Sequence, residues 1–143
     1  MSMTSLTDDL VDLTVGDVVL LDVPASPAYI TVVRTAAAGL AARVDLTLDR
    51  IEDVRIAVDE ACVMLVSTSG DSPDAEPATL TCEFTLEQES LAVEVSRTST
   101  TLPEASAFVW SVLSALVDSL ETGDDDGRTW VRLVVRRGPG AWS

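Results

Sequence analysis

The chain has 143 residues, the length of a single domain, and 47% of them are hydrophobic, which is enough for a core of its own. Its 24 acidic side chains outnumber 9 basic ones and give a formal net charge of −15, so nucleic acid is not expected as a partner, because phosphate binding needs clustered cations. With no histidine and two cysteines, Cys62 and Cys82, the chain lacks the ligands of a zinc site, and both thiols are predicted to be buried and free.

The predicted elements begin after a polar, flexible arm over residues 1–16. This arm has neither the basic region nor the apolar run of a signal peptide, and no stretch reaches the ~18 apolar residues of a membrane span, so we expect a cytoplasmic protein without membrane contact. Residues 17–23 are apolar and β-branched and predict a first strand. Ser26 and Pro27 suit the N-cap and first position of a helix over residues 27–43. Its predicted core side holds Tyr29, Val32, Val33, Ala36, Ala37 and Leu40.

The second predicted helix, over residues 48–66, has the clearest pattern in the chain. Thr47 is its predicted cap. Apolar residues recur along it at steps of three and four, which is typical of an amphipathic helix with one face on the core. They are Leu48, Ile51, Val54, Val58, Ala61, Cys62 and Leu65.

The C-terminal half is predicted to contain three strands and one helix. A loop over residues 67–77 precedes strands over residues 78–86 and 90–96, which form an antiparallel hairpin. A helix then runs from Pro103 to about residue 120, and a turn over residues 122–127 leads to a last strand over residues 130–136 and a tail over residues 138–143. The core side of this helix is expected to hold Phe108, Val112, Leu116 and Leu120.

The predicted order β-α-α-β-β-α-β groups the strands around hairpins, with helices on one face. It indicates an α+β fold, a two-layer α/β sandwich, in a single domain over residues 17–137. Trp110 and Trp130 are assigned to the core, with an interface as the alternative. The acidic run Asp124, Asp125 and Asp126 is interpreted as a solvated turn, because it lacks the spaced ligands and final glutamate of a calcium loop.

Three segments resemble a known family. Residues 52–62 (EDVRIAVDEAC) are similar to the helix that holds the N-box of GHKL ATPases. Residues 24–34, which include Tyr29 and Arg34, and residues 108–118 resemble the first and last helices of RsbW/SpoIIAB-type anti-sigma factors. The chain is identified as a member of this family over nearly its whole length, and it is most similar to the actinobacterial UsfX-like branch.

The resemblance implies a GHKL-type (histidine kinase-like ATPase) sandwich in a small version with a degenerate ATP lid. In the family, the protein binds and blocks an alternative sigma factor, and many members phosphorylate a serine of an anti-anti-sigma factor. It further implies a homodimer and makes Tyr29 and Arg34 candidates for the sigma interface. The charge of the chain agrees with a basic protein partner, although acidity that serves solubility is the alternative.

The same resemblance identifies the residues of a nucleotide site and where this chain departs from them. Glu60 matches the acid that activates the attacking hydroxyl, a role that suits a carboxylate. Met64 stands where the family has an asparagine ligand of Mg²⁺, and a thioether is a poor ligand for this hard cation. The stretches that should hold the adenine box, residues 96–100, and the phosphate box, residues 102–106, contain no glycine for close backbone approach. We therefore expect no ATP, Mg²⁺ or other metal to be bound in the usual way.

Three hypotheses follow. The first is an anti-sigma factor without catalytic activity, a pseudokinase that an anti-anti-sigma protein counteracts. The second is an active ATP-dependent serine kinase in which Glu60 is catalytic. The third is a pseudo-ATPase binding module that serves another regulator, with a different small ligand or none.

Overall fold

The computed structural model describes residues 16–66, 78–98 and 107–138. Three predicted segments lie outside these residues: the arm over residues 1–15, the loop over residues 67–77 and the tail from residue 139. Residues 99–106, which include most of the two expected nucleotide boxes and the predicted start of the third helix at Pro103, also lie outside them. No helix of the described part is long and apolar enough to cross a membrane.

The described residues form one sheet and three α-helices. The elements are β1 (Val18–Pro24), a 3-10 turn (Pro27–Tyr29), α1 (Ile30–Arg43), α2 (Leu48–Val66), β2 (Thr79–Glu87), β3 (Ser90–Thr98), α3 (Ala107–Leu116), β4 (Ser119–Asp125) and β5 (Arg128–Arg136). The strands lie in the order β1-β2-β3-β5-β4, and each neighbouring pair is antiparallel. The predicted α+β class is therefore confirmed.

The core lies between one face of the sheet and the helices. Side chains of a strand point alternately to its two faces, and in β2 the residues Leu80, Cys82, Phe84 and Leu86 are buried in this alternating pattern. The helix α2 covers this face with a continuous buried stripe, and its bounds are those that the periodicity predicted. Its members are Val54, Ala57, Val58, Ala61, Cys62, Met64 and Leu65.

The strand β4 corrects the prediction for residues 117–127. The third helix ends at Leu116 instead of residue 120, and most of the predicted turn pairs with β5 as the edge strand of the sheet. The connection is a tight turn at Asp126 and Gly127, which have φ values of 54° and 72°. Left-handed backbone at both positions, with the sequence Asp-Gly, is typical of a two-residue hairpin. The strand could not be predicted from hydrophobic pattern because the residues of β4 are mostly polar. Its stability comes from pairing with β5 rather than from burial.

The helix α1 buries part of the predicted face: Val33 and Ala37 are buried, and Ala36 and Leu40 are half-buried against the core. Its buried residues are Ile30, Val33, Ala37 and Ala41, whereas Tyr29 is 42% and Val32 47% exposed. The core position expected for Tyr29 is thus wrong. The physical reason is that the α-helix starts only at Ile30, after the 3-10 turn, so Tyr29 does not continue the helical face of Val33 and Ala37.

Three other residues predicted for the core lie outside it, namely Leu48, Phe108 and Trp130. Leu48 is 85% exposed in the first turn of α2, and Phe108 is 75% exposed in the first turn of α3, where Leu113 is the buried residue. Trp110 is half-buried against the core, as expected. Trp130 is half-buried beside Gly123, and its Nε1 donates a hydrogen bond to Asp125 Oδ2 at 3.1 Å. Because it alternates with the buried Val131, its side chain lies on the face of the sheet away from the helices.

Arg50 links the start of α2 to the end of α3 and to β5. Thr47 caps α2 as predicted, with its Oγ1 accepting a hydrogen bond from the Arg50 amide at 3.3 Å. The guanidinium donates to Asp53 Oδ2 (2.7 Å), Asp118 Oδ2 (2.6 Å) and the carbonyl oxygens of Leu116 (3.2 Å) and Arg136 (3.0 Å). A single planar cation thereby joins three elements, which is a use that suits arginine and not lysine.

Cys62 and Cys82 are buried free cysteines, as predicted. Cys62 belongs to α2 and Cys82 to β2, so the two thiols meet where the helix crosses the sheet. Hydrogen bonding to Cys82 and burial raise the pKa of the Cys62 thiol above its usual range. The neutral thiol is a poor nucleophile, and we therefore assign both residues to packing.

Candidate functional site

Glu60 is placed by α2 beside the first turns of α3. It is half-buried and lines a pocket of about 100 Å³ together with Phe108, Val109 and Val112. The neighbours that α3 contributes to this pocket are thus apolar. A general base needs a hydrogen-bonding partner that orients it, and these three side chains cannot supply one.

Met64 lies one turn after Glu60 on the same helix. It is only 6% exposed and belongs to the hydrophobic core. Its side chain therefore packs among apolar groups instead of lining an open polar pocket. Among the described residues, no group of three or more His, Cys, Asp or Glu is arranged to hold a metal ion.

Arg34 connects α1 to α2 through an ion pair. Its Nη1 lies 3.0 Å from Asp59 Oδ1, and its Nη2 donates to Thr31 Oγ1 at 3.3 Å. The side chains of Arg34 and Asp59 are 34% and 30% exposed, so both atoms remain within reach of a partner. Since Asp59 directly precedes Glu60, this contact ties α1 to the turn of α2 that carries the matched acid.

A groove of about 160 Å³ runs along this contact. We call it the α1–α2 groove, and it is lined by Arg34, Glu52, Arg55, Ile56 and Asp59. A second pair, Arg55 with Glu52 at 3.4 Å, also lies in it. Ile56 is 43% exposed. An apolar side chain between two half-open ion pairs is an arrangement that suits protein recognition, because the apolar group can be buried and the charges can be paired again with a partner.

The two candidate interface residues are not brought together. Tyr29 is exposed at the start of α1 but is not among the residues that line the α1–α2 groove. Glu60 lines the separate pocket beside α3. The structure thus brings Arg34 together with Asp59 and Ile56, two residues that the sequence interpretation did not single out.

Arg97 was also missed, although it is the charged residue that the described core buries. It is 3% exposed in β3. Its Nη1 donates hydrogen bonds to the carbonyl oxygens of Leu65 at 2.7 Å and Val66 at 3.4 Å, the last two residues of α2. The sequence did carry a signal, because Arg97 continues the alternating core positions of β3 after Leu91, Val93 and Val95.

Comparison with known proteins gives a consistent picture. The sequence profile described as "Histidine kinase-like ATPase domain" matches residues 23–106. The serine-protein kinase RsbW of Bacillus pumilus is 30% identical over 80 residues, which is 56% of this chain and 49% of the relative. The anti-sigma-F factor RsbW of Mycobacterium tuberculosis is 32% identical over 107 residues, or 73% of this chain and 61% of the relative.

A shorter match and a solved structure agree with these. The serine-protein kinase RsbW of Bacillus subtilis is 44% identical over 51 residues, 36% of this chain and 32% of the relative. The matches therefore span between about a third and three fifths of these relatives. The crystal structure of the RsbU and RsbW domains of a Mycobacterium tuberculosis protein superposes with a TM-score of 0.65 at 17% identity, covering 84% of this chain and 32% of that one. At this identity the superposition shows the fold alone.

Proposed function

This chain belongs to the family of histidine kinase-like ATPase domains, and we propose that within it the protein is an anti-sigma factor that acts without kinase activity. The matches to proteins named RsbW confirm the resemblance that three sequence segments indicated. In this proposal the chain sequesters an alternative sigma factor in the cytoplasm, as a homodimer, and an anti-anti-sigma protein competes for it. One relative is itself named an anti-sigma factor, which supports this choice.

The observation that carries the binding proposal is the α1–α2 groove around the Arg34–Asp59 pair. Arg34 is one of the two sigma-interface candidates that the resemblance gives, and the side chains of its pair with Asp59 are each about one third exposed. Exposed Ile56 supplies an apolar contact in the same groove. Arginine is enriched among the residues that contribute most of the energy of protein interfaces, and the contacts around such a residue exclude water from it.

Charge supports a basic partner for the acidic chain. The net charge of −15 repels nucleic acid but attracts a protein whose own surface is built to bind nucleic acid. Complementary charge speeds the encounter of two proteins and selects among partners. A transcription factor subunit with a basic surface satisfies this requirement.

The loss of kinase activity rests on the environment of Met64 and Glu60. A methionine packed in the core cannot act as the hard oxygen ligand that Mg²⁺ requires. Phosphoryl transfer depends on Mg²⁺ and on positioned charges around the phosphates. The residues present therefore do not fit Mg-ATP, and the proposal includes no step that involves it.

The test is capture of partners from a lysate of the native host on the tagged protein, followed by mass spectrometry. A bait in which both Arg34 and Ile56 are changed to alanine serves as the matched control. We expect an alternative sigma factor with the unchanged protein and much less with the control bait. Abundant unchanged bait that captures no sigma factor would contradict the proposal and favour the third hypothesis, a binding module for another regulator.

An active serine kinase is the second candidate, because Glu60 is still half exposed and two relatives are named serine-protein kinases. The test is transfer of labelled phosphate from ATP to the anti-anti-sigma partner, with Mg²⁺ or Mn²⁺. Glu60→Ala should abolish any real transfer, whereas Asp49→Ala, at an exposed acid in the first turn of the same helix and outside the α1–α2 groove, should not. We expect no transfer with the unchanged protein under either metal.

A further inference from the structure

Arg97 stands in the stretch, residues 96–100, where the resemblance expects a carboxylate that recognises adenine. Its charge is opposite to that of the expected carboxylate, and only 3% of its surface is exposed to solvent. Burying a guanidinium is unfavourable unless its donors find acceptors. The buried guanidinium of Arg97 therefore needs hydrogen-bond acceptors that offset the cost of removing its charge from water.

Among the described residues, the C-terminal end of α2 provides acceptors for Arg97. The last carbonyl groups of a helix have no acceptor role within the helix and carry the negative end of its dipole. Arg97 Nη1 donates to two of them, those of Leu65 and Val66. The last turn of α2 contains no basic residue of its own, so this cation comes from the sheet and not from the helix.

The contact fixes the helix that carries the candidate site. Leu65 follows Met64 directly, and Glu60 lies little more than one turn before them. A charge-assisted hydrogen bond from β3 to the end of α2 thus restrains the same turns that a nucleotide would have to contact in an active relative. Such bonds are about twice as strong as neutral ones.

We propose that Arg97 is a positioning residue: from β3 it holds the C-terminal end of α2, so that the turn of this helix that follows Glu60 is ordered without ATP. This inference rests on the proposed absence of nucleotide binding. A side chain of the sheet thereby restrains the end of the helix from within the protein. The end of α2 is then formed whether or not nucleotide is present, so that release of a partner depends on competition and not on nucleotide state.

The test is hydrogen–deuterium exchange of the purified full chain, with no partner present. In the unchanged protein, millimolar Mg-ATP should leave the exchange of amides 62–66 as it is. Arg97→Met should speed exchange of these amides at least about tenfold, and more than that of amides in β5, since a charged hydrogen bond is lost at one place. Arg97→Lys should restore part of the protection, because the charge near the helix end is kept. Arg128→Met, which removes an exposed arginine paired with Glu94 on the sheet, should not affect α2.

Two results would overturn the inference. One is slower exchange at the end of α2 when Mg-ATP is added to the unchanged protein. The other is an Arg97→Met variant with unchanged exchange at amides 62–66, or with an equal increase throughout the sheet. If Arg97→Met fails to fold, the Mg-ATP comparison and Arg97→Lys still decide the question. Slower exchange with Mg-ATP would also contradict the proposed absence of nucleotide binding, whereas the Arg97→Met results would contradict only the role of Arg97. Because no sigma factor is used, neither result tests sigma binding.

Discussion

Arg34 Nη1 lies 3.0 Å from Asp59 Oδ1, and this contact joins α1 to the turn of α2 that precedes Glu60. The pair is about one third exposed on each side. A pair this open contributes little to folding, about 0–1 kcal/mol. Its larger use is to hold two charges in place at the edge of a groove that contains the exposed Ile56.

Arg34→Ala should therefore weaken partner binding without weakening the fold. We expect affinity for the captured sigma factor to fall about tenfold or more, because arginines at the centre of interfaces commonly contribute this much. The free energy of unfolding should change by less than about 1 kcal/mol. Titration calorimetry and urea unfolding measure the two quantities. Arg43→Ala, at an exposed arginine in the last turn of the same helix, is the matched control and should change neither.

Arg50→Met should instead weaken the fold, because Arg50 links α2 to the end of α3 and to β5. The substitution leaves the Asp118 carboxylate and two carbonyl groups without their cationic donor. We expect the free energy of unfolding to fall by about 2–4 kcal/mol, measured by urea unfolding. Arg55→Met removes only a loose, exposed pair with Glu52 and should cost less than about 0.5 kcal/mol. Equal effects of the two substitutions would show that Arg50 does not link the three elements.

Met64→Asn restores the residue type that the resemblance expects at the metal position. Because the side chain is buried in the core, the amide should lower the free energy of unfolding by about 2–4 kcal/mol. Mg-ATP should not raise the Tm of the variant, as it would if the ligand bound the native state. Val63→Asn, at a neighbouring position that is 38% exposed, should cost less than about 1 kcal/mol. A stable Met64→Asn variant whose Tm rises with Mg-ATP would mean that the site needs only one residue to be active.

Gly123→Ala tests the position of β4. A Cβ at this residue would overlap the indole of Trp130, which is held by its hydrogen bond to Asp125. We expect the free energy of unfolding to fall by about 1–3 kcal/mol. Gly39→Ala is the matched control, because no atom lies within 4 Å of the new Cβ and the residue is in the interior of α1. That substitution should instead stabilise the protein by about 0.5–1 kcal/mol. If Gly123→Ala left the free energy of unfolding unchanged, the indole of Trp130 could not lie against Gly123.

The sequence predicted the elements whose stability is visible in their own residues. The helix α2 has large apolar residues at regular spacing, so its bounds and most of its buried side followed from periodicity alone, with the exposed Leu48 as the exception. The helix α1 has five alanines and buries few large side chains, so its existence was predictable but its buried face was predictable only in part. The strand β4 could not be found by the same means, because its polar residues gain stability from the backbone of β5.

The residues of the candidate site also divide into those that the sequence could identify and those that depend on tertiary packing. Glu60, Met64 and Arg34 were found because a resemblance assigns roles to fixed positions in helices. Asp59 and Ile56 line the groove with Arg34 only because α1 and α2 pack side by side. This packing cannot be predicted from the sequence of either helix alone. Arg97 is intermediate: its core-facing place in β3 was visible as a pattern, but its acceptors lie at the end of α2, far away in sequence.

The measurement that tests the central claim most directly is the affinity of the purified chain for the captured sigma factor, by titration calorimetry in nucleotide-free buffer and again with Mg-ATP. We predict tight binding in both, with dissociation constants that agree, and a loss of affinity in Arg34→Ala. A sigma factor that binds only when Mg-ATP is present, or that does not bind at all, would contradict the account.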